Sequence, residues 1–287
     1  MVTSTMQLTP VAPAVPGVIK LPDAGSNAAI SGVMATAMLP LWARAEEARQ
    51  ACPLFKDAYA IELSRLLALD FGAVRDAWRI QTSVAIRTRI LDDKLHDYIQ
   101  QHPDAAIINL GAGFDSRFYR MDNGHLIWYD LDFPQLIDLK RRYISETPRY
   151  RMLGKSILDY SWLHEVAVQD RPVMILAEGV LMYLQESELK TLFGQLAGRF
   201  AGAHLLIELL APAAIGYHPL LNHDHAEFKW TLLHARDMEA INPKIRFLHE
   251  WCVLDHYVDR WQWLGFLGEL PWVRNYFGER IVQLRFR

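Results

Sequence analysis

The sequence predicts an α/β fold in which a mostly parallel β-sheet is covered by helices on both faces. In the middle of the chain, short apolar runs that suit buried strands alternate with segments of helical periodicity. One apolar run, Ala105 to Leu110, ends in Gly111-Ala112-Gly113, and about twenty residues later Leu126 to Tyr129 ends at Asp130 and Asp132. A glycine turn followed by a distal acid is typical of a nucleoside-binding βαβ unit.

Composition and charge narrow the class of protein. The chain has 287 residues, about half of them apolar, which suits one sizeable domain. The net charge is −3, and the basic residues are dispersed, so we expect no nucleic-acid partner. Cys52 and Cys252 lie far apart and fit core thiols in a reducing cytoplasm. No apolar stretch approaches the eighteen to twenty residues or so of a membrane span, so we expect a soluble, cytoplasmic protein.

The elements before the first strand are helical. Apolar residues recur at helical spacing between Ala28 and Arg79, and such stripes are typical of packing surfaces. Gly72 separates this part from a helix at about Val84 to Gln101, which carries an apolar side and delivers the chain to the first strand.

The later elements alternate in type. The sequence predicts a helix from Pro134 to Ile144, a strand from Tyr150 to Leu153, a strand from Val173 to Ala177, a helix from Glu186 to Phe200 and a strand from His204 to Leu210. In the last third, Phe247 to Trp251 and Arg280 to Phe286 indicate two strands with helix between them. We expect this antiparallel pair to close the sheet.

The glycine turn favours one kind of nucleoside. A dinucleotide site needs a third glycine where Ser116 stands, and Asp115 puts a carboxylate where a diphosphate would lie, so repulsion disfavours NAD. S-adenosylmethionine has no phosphate. It needs a glycine turn for its methionyl part, an acid for its ribose and a clamp for its α-carboxylate, and the sequence offers all three.

Four of these residues also have structural interpretations. Gly111 and Gly113 could mark only a tight turn between a strand and a helix. Asp130 lies on the same side of its strand as Asp132 but further from the tip, so it faces solvent or supports the site from behind. Asp115 is either a helix cap or a ligand contact.

Three motifs in order carry a family resemblance. They are Asn109 to Arg120 around the glycine turn, Tyr129-Asp130-Leu131-Asp132-Phe133-Pro134 with Lys140 after it, and Ala177-Glu178-Gly179-Val180-Leu181-Met182-Tyr183-Leu184. Together they resemble the leucine carboxyl methyltransferase family, and within it the bacterial polyketide-type, tetracenomycin-like O-methyltransferases. The resemblance runs from about Ile80 to Arg287 and includes Phe228-Lys229-Trp230, while Ala28 to Arg79 adds little to it.

The resemblance implies a class I methyltransferase: a Rossmann-like sheet of seven strands, the last two antiparallel, with N-terminal helices, a lid segment and S-adenosylmethionine as donor. It implies that Gly111 and Gly113 lie beside the methionyl group and that Asp132 holds the ribose. Ser156 and Ile157 would flank the adenine, although the eukaryotic relatives have an aspartate at the position of Ser156.

Two charged positions would complete the donor site by the same resemblance. Glu178 would face the amino end of the donor or the reacting centre. Arg87 is the candidate clamp for the α-carboxylate, with Arg89 second, because a guanidinium can bind a carboxylate through two hydrogen bonds. The alternative for Arg87 is a surface ion pair with Asp92 or Asp93.

The domain boundaries follow from these assignments. Residues 1–27, which contain four prolines and lack the features of a secretory signal, form a flexible tail, and residues 28–287 form one methyltransferase domain. Within it we expect a helical cap at 28–101, a donor-binding core at 102–210, a lid and acceptor segment at 211–246 and closing strands at 247–287.

The catalytic residues stay open. A base is needed only if the acceptor is a neutral hydroxyl, because a carboxylate is already ionised at neutral pH. Candidates come from the segment after the fifth strand, which we expect to overhang the site: they are Tyr217, His223 and His225, with His218 and His234 nearby. The pair His223 and His225 lacks further ligands at a familiar spacing, so no metal is expected.

The acceptor is predicted to be a small, flat, aromatic or polyketide-like molecule. Residues 217–230 are placed to roof an apolar pocket, whereas a protein C-terminus would need a basic groove and this segment offers only Lys229 and Arg236. The alternatives are a protein carboxyl methyltransferase, a non-catalytic S-adenosylmethionine-binding protein and an NAD-dependent oxidoreductase. The last alternative is disfavoured because the sequence shows no catalytic Tyr-Lys or His dyad at a suitable spacing. The sequence fixes neither hydroxyl nor carboxyl as acceptor, nor the oligomeric state.

Overall fold

A seven-stranded sheet forms the centre of the structure. The computed structural model describes residues 28–69, 77–215, 227–262 and 270–287. The strands are β1 (Ala106–Leu110), β2 (Ile127–Asp132), β3 (Tyr150–Gly154), β4 (Val173–Ala177), β5 (His204–Leu209), β6 (Ile245–Cys252) and β7 (Arg280–Phe286). Their order is β3-β2-β1-β4-β5-β7-β6. β1 to β5 pair in parallel and β7 is antiparallel to both β5 and β6, which confirms the predicted sheet.

Helices cover both faces of this sheet. They are α1 (Ala28–Ala48), α2 (Ala58–Leu66), α3 (Ala77–Gln101), α4 (Arg117–Met121), α5 (Pro134–Arg141), α6 (Glu186–Arg199), α7 (Met238–Ile241) and α8 (Pro271–Phe277). One apolar cluster joins the sheet to α6 and α7, and a second joins it to α1, α2, α3 and α5. Every residue of β1 and β4 is buried, as expected for parallel strands between two helical layers.

Several element boundaries differ from the sequence prediction. The third helix begins at Ala77 instead of Val84, and β2 continues to Asp132, so that both acidic residues belong to the strand. The separating Gly72 and the tail at residues 1–27 lie outside the described residues. No helix in the described part of the chain combines the length and apolar character needed to cross a membrane.

Strand direction brings the functional segments to one edge of the sheet. The carboxyl ends of parallel strands meet at the same edge, and here these are the ends of β1, β2, β4 and β5. Because β7 runs antiparallel and its first residue, Arg280, pairs with Leu209 at the end of β5, Glu279 lies at this edge too. α1 and α3 supply the remaining walls.

Candidate active site

A cavity of about 720 Å³ opens at the carboxyl edge of the sheet. Its lining includes residues from the ends of β1, β2, β4 and β5, together with residues of α1 and α3. A volume of this size is in the range of small-molecule and cofactor sites. The cavity brings together all seven predicted donor-site residues, which are Arg87, Gly111, Gly113, Asp132, Ser156, Ile157 and Glu178.

The glycine turn depends on the absence of side chains. Gly111 and Gly113 have φ angles of +64° and +47°, which favour glycine. A Cβ atom at Gly111 would lie 2.7 Å from the Cβ atom of Val180, so the turn after β1 packs directly against the turn after β4. The backbone N–H of Gly113 donates a hydrogen bond to Oδ2 of Asp132 at 2.7 Å, which ties the turn to the acid.

Asp132 is a buried carboxylate in the cavity wall. It is only 8 % exposed, and its Oδ1 accepts a hydrogen bond from the backbone N–H of Phe133 at 2.7 Å. Burial raises the pKa of Asp132 although the two backbone donors lower it. A carboxylate has about four lone-pair sites, so these two hydrogen bonds leave it able to accept hydroxyl donors from a ligand.

Asp130 supports the site from behind. It is 1 % exposed and accepts hydrogen bonds from Lys140 Nζ at 2.7 Å, the Tyr150 hydroxyl at 2.6 Å and Trp128 Nε1 at 2.7 Å. The interpretation that it faces solvent is therefore wrong. Strand alternation fails to predict exposure here because β2 is covered on both faces.

Asp115 lies both next to the start of a helix and in the cavity lining, so the structure is compatible with both predicted roles, helix cap and ligand contact. Its Oδ1 accepts a hydrogen bond from the backbone N–H of Arg117 at 2.8 Å, next to the start of α4, and the residue also lines the cavity. Its Oδ2 accepts from Asn109 Nδ2 at 3.0 Å and is ion-paired with the Arg117 guanidinium. Burial would raise the pKa of Asp115, but Arg117 and other nearby cations outweigh it and hold the pKa below its usual range.

Ser156 and Ile157 follow β3 and line the cavity. The Ser156 hydroxyl accepts a hydrogen bond from the backbone N–H of Leu158 at 3.2 Å, and the Ile157 side chain is buried. The two residues thus offer one small polar group and one apolar surface. Their contact with adenine stays a prediction.

Glu178 joins two arginines at the end of β4. Its Oε1 accepts from Arg87 Nε at 2.9 Å and its Oε2 from Arg117 at 2.8 Å. Burial would raise the pKa of Glu178, yet Arg117 and Arg87 together lower it, so the group is held as a carboxylate. An ionised carboxylate in the cavity wall suits contact with a cationic group of a ligand.

Arg87 lies inside the cavity wall among three glutamates. Besides Glu178, its guanidinium donates to Glu208 Oε1 at 2.9 Å and lies 3.4 Å from Glu279 Oε1. The alternative prediction, a surface ion pair of Arg87 with Asp92 or Asp93, is therefore wrong. Those two aspartates pair with other arginines, and Arg89 pairs with Asp93 and does not line the cavity. The clamp role of Arg87 stays a prediction.

The sequence did not predict several charged residues of the site, among them Arg44, Glu208 and Glu279 in the lining and Arg117, which pairs with Asp115 and Glu178. Arg44 of α1 donates to the backbone carbonyl of Phe114 at 2.7 Å, although its helix was interpreted only as a packing surface. Arg117 belongs to the first motif, and Glu208 is the one acid in the apolar run of β5. Both positions could therefore have been recognised from the sequence as candidate site residues. Glu279 precedes a strand, and nothing in the sequence around it indicates a place at the site.

Glu208 has the most unusual environment of these residues. Its Oε2 accepts a hydrogen bond from the backbone N–H of Gly179 at 2.7 Å. Burial raises the pKa of Glu208 to about 8, with the Glu279 and Glu178 carboxylates adding to the rise and Arg87 opposing it. The group therefore changes charge near neutral pH.

Much of the remaining cavity lining is apolar, and these residues are called the apolar wall below. Phe228 packs against Tyr183 with ring centroids 5.4 Å apart, and the backbone N–H of Lys229 donates to the Met182 carbonyl at 2.7 Å. The other apolar residues of this wall are Leu39, Pro40, Ile80, Val84, Met182, Leu184, Leu210 and Ala214. Such a surface suits a flat apolar ligand.

The three predicted catalytic candidates lie outside the part of the chain that the structure describes. Tyr217, His218, His223 and His225 lie outside the described residues. His234 is exposed and does not line the cavity. Within the described ranges, no group of three or more His, Cys, Asp or Glu side chains could hold a metal ion.

A family comparison covers more than half of the chain. The family model described as leucine carboxyl methyltransferase matches residues 37–197. The match begins well before Ile80, where the motifs first resembled the family, so the expectation that the N-terminal helices add little is wrong. The structure gives a physical reason, because Leu39, Pro40 and Arg44 of α1 line the cavity.

Two relatives share about a third of their sequence with this chain. The tetracenomycin polyketide synthesis O-methyltransferase TcmP of Streptomyces glaucescens is 31% identical over 91% of this chain and 100% of that protein. The S-adenosyl-L-methionine-dependent methyltransferase dpfgK of Gibberella zeae is 30% identical over 83% of this chain and 89% of that protein.

Solved structures share the fold at much lower identity. A Thermobifida fusca protein described as a methyltransferase has a TM-score of 0.53 at 12% identity and covers 85% of this chain and 94% of its own. A DUF574 family protein of Streptomyces avermitilis has a TM-score of 0.53 at 8% identity and covers 88% and 97%. These similarities concern the fold alone.

Proposed function

The chain belongs to the leucine carboxyl methyltransferase family and is an S-adenosylmethionine-dependent methyltransferase, and from this premise we propose that it methylates an oxygen of a small, flat, aromatic or polyketide-like molecule. The observation that carries the proposal is the division of one cavity into a polar edge, formed by Gly111, Asp132 and Glu178, and a mainly apolar wall around Phe228. The name of the Streptomyces glaucescens relative supports oxygen as the acceptor atom and a polyketide as the acceptor class, and the name of the Gibberella zeae relative supports the donor.

The polar edge fits the donor in three respects. The turn at Gly111 has no room for a side chain, Asp132 keeps free lone pairs in the wall, and Glu178 is an ionised carboxylate. Gly111 and Gly113 would lie beside the methionyl group, Asp132 would accept the ribose hydroxyls, and Ser156 with Ile157 would flank the adenine. When bound, the donor supplies an electrophilic methyl group on a sulfonium.

The remaining work of the protein is alignment and exclusion of water. The apolar wall would hold the acceptor ring so that its oxygen faces the methyl group, and binding there removes water from the reacting atoms. A carboxylate acceptor needs no base at neutral pH, whereas a hydroxyl acceptor transfers a proton to the protein or to solvent. Residues 211–246 are proposed as the lid and acceptor segment of a single domain over residues 28–287.

Two further proposals concern the surroundings of the enzyme. Cys252 is a buried thiol as expected, whereas Cys52 is exposed, so the expectation of a core thiol is wrong for Cys52. Both cysteines are free, which supports a reducing, cytoplasmic compartment. The net charge of −3 supports a small molecule rather than a nucleic acid as partner.

The test is a methyl-transfer assay on matched acceptors. We would incubate the protein with S-adenosylmethionine and pairs of polycyclic aromatic compounds that carry either a hydroxyl or a carboxyl group on the same ring system. Product mass spectrometry and S-adenosylhomocysteine release would be measured, with the C-terminal peptide of a protein as comparison. We expect transfer to at least one aromatic acceptor and none to the peptide; transfer to the peptide alone would contradict the proposal.

A further inference from the structure

A continuous chain of ion pairs runs from Arg44 to Glu279, and six of its ten members line the cavity. Four arginines alternate with six carboxylates along it, and each contact is 4 Å or shorter. The arginines are Arg44, Arg87, Arg117 and Arg120, and the carboxylates are Asp57, Asp92, Asp115, Glu178, Glu208 and Glu279. The carboxylates therefore exceed the guanidinium groups by two.

The surplus of negative charge lies at one end of this chain. Arg117 and Arg120 share Asp92, and each has one more aspartate partner, so that end is close to balanced. At the other end, and among the described residues, Glu208 and Glu279 share Arg87 as their ion-pair partner, and Arg87 also contacts Glu178, which Arg117 contacts too. Burial raises the pKa of Glu208 to about 8, Glu279 and Glu178 add to the rise, and Arg87 opposes it.

The donor and its product differ by one charge inside the cavity. S-adenosylmethionine carries a positive sulfonium, and S-adenosylhomocysteine carries a neutral thioether in its place. Coulomb interactions in a buried cavity are screened much less than at the surface. Glu208 and Glu279 line the same cavity as the glycine turn and Asp132, so their field acts on a ligand held there.

We propose that Glu208 and Glu279 make the site select the positively charged donor over its neutral product. This inference rests on the proposed function, since it assigns a task to the donor site. Glu178 contributes to the same field, but its contacts with two arginines leave it better balanced than the other two. After transfer the sulfonium charge is gone, and the surplus of carboxylates no longer holds the product.

The charges around Glu208 couple donor binding to the release of a proton. Glu208 of β5 faces Arg87 of α3, Glu279 before β7, Glu178 after β4 and Tyr183 in the turn that follows β4. A bound cation stabilises the ionised form of Glu208. Binding of the donor near neutral pH therefore drives a proton from the Glu208 carboxyl into the buffer, whereas binding of the product drives less.

The first experiment measures the affinities of both nucleosides by isothermal titration. The variants Glu208→Gln and Glu279→Gln remove an ionisable carboxyl group at nearly constant shape, and Asp138→Asn removes one at the exposed side of α5. We expect each glutamine variant to lower the donor-to-product affinity ratio about threefold to tenfold, as expected for loss of a nearby charge, while Asp138→Asn leaves it unchanged. A ratio within twofold of wild type in either glutamine variant overturns the inference for the pair.

A second experiment needs no substitution and covers the case in which a glutamine variant does not fold. Titrations of the wild-type protein in two buffers with different ionisation enthalpies give the number of protons released on binding. We expect more protons released with S-adenosylmethionine than with S-adenosylhomocysteine, and equal numbers would overturn the inference. If wild type binds neither nucleoside, the proposed function itself fails, which distinguishes the two failures.

Discussion

The two sides of the cavity are built in different ways. On the donor side, Gly113, Asp132 and Glu178 are each fixed by hydrogen bonds to other parts of the site. On the acceptor side, residues from α1, α3 and the segments after β4 and β5 meet mainly through apolar contact. Directional bonds hold atoms at defined positions, whereas apolar packing specifies shape and volume. A substitution on one side should therefore affect a different measurement from a substitution on the other.

The largest effect is expected at Gly111. Gly111→Ala would add a Cβ atom 2.7 Å from Val180 and keep a positive φ angle, so the turn after β1 must move. We expect donor affinity to fall at least a hundredfold in titration calorimetry. Gly124→Ala is the matched control, because Gly124 also has a positive φ angle, +85°, but its Cβ position is open. An equal loss in both variants would mean that backbone strain alone, and not the packed turn, explains the result.

The next effect tests the buried ion pairs under the donor side. The Arg117 side chain is fully buried and contacts Asp92, Asp115 and Glu178, so Arg117→Gln leaves three carboxylates short of a partner. We expect the free energy of unfolding to fall by about 3–5 kcal/mol in urea titrations. Arg149→Gln breaks a pair with Asp122 in which both side chains are about a third exposed, and it should cost about 0–1 kcal/mol. Similar losses would contradict the contrast between buried and exposed pairs.

A substitution on the acceptor side should change acceptor binding without changing donor binding. Phe228→Ala removes the ring that packs against Tyr183 in the apolar wall. We expect KM for an aromatic acceptor to rise about tenfold, since a partly buried aromatic contact of this kind contributes about 1–2 kcal/mol, while donor affinity stays within twofold. Steady-state kinetics and titration calorimetry measure the two quantities. A parallel loss of donor affinity would show that the two sides are not separate.

The last prediction concerns stability and pH. The pKa of Glu208 is raised to about 8, so between its ordinary value and about pH 8 the folded state binds a proton that the unfolded state has lost. Stability then falls as pH rises through this window, by at most about 1.4 kcal/mol per pH unit. The glutamine in Glu208→Gln cannot ionise. The unfolding free energy of this variant should therefore rise relative to that of wild type as the pH increases from 6 to 8.5. A constant difference between the two proteins across this range would contradict the shifted pKa.

The same contrast explains what could be inferred from the sequence. Gly111 and Asp132 could be placed together because a βαβ unit brings the ends of adjacent parallel strands to one edge, whatever the rest of the chain does. Arg44 and Glu279 could not, since they reach the cavity from α1 and from the turn before β7, and their neighbours depend on tertiary packing. Asp130 was misjudged in part because helices on both faces of the sheet bury residues that alternation would expose.

The acceptor side offered less to infer for a physical reason. An apolar wall has no local pattern that distinguishes it from core packing, so the periodic residues of α1 and α3 indicated only helices. Leu39 and Val84 line the cavity, but they carry the same apolar spacing as their buried neighbours. The polar partners of the donor side, by contrast, stand out because charged side chains are rare at the ends of buried strands.

The most direct test of the account is the binding of nucleosides to wild type and to Asp132→Ala. Titration with S-adenosylmethionine, S-adenosylhomocysteine and NAD would be run in parallel, with Asp138→Ala at the exposed side of α5 as control. The account predicts that wild type and the control bind the first two ligands and not NAD, and that Asp132→Ala weakens both at least tenfold. Binding of NAD, or unchanged affinity in Asp132→Ala, would contradict the donor site described above.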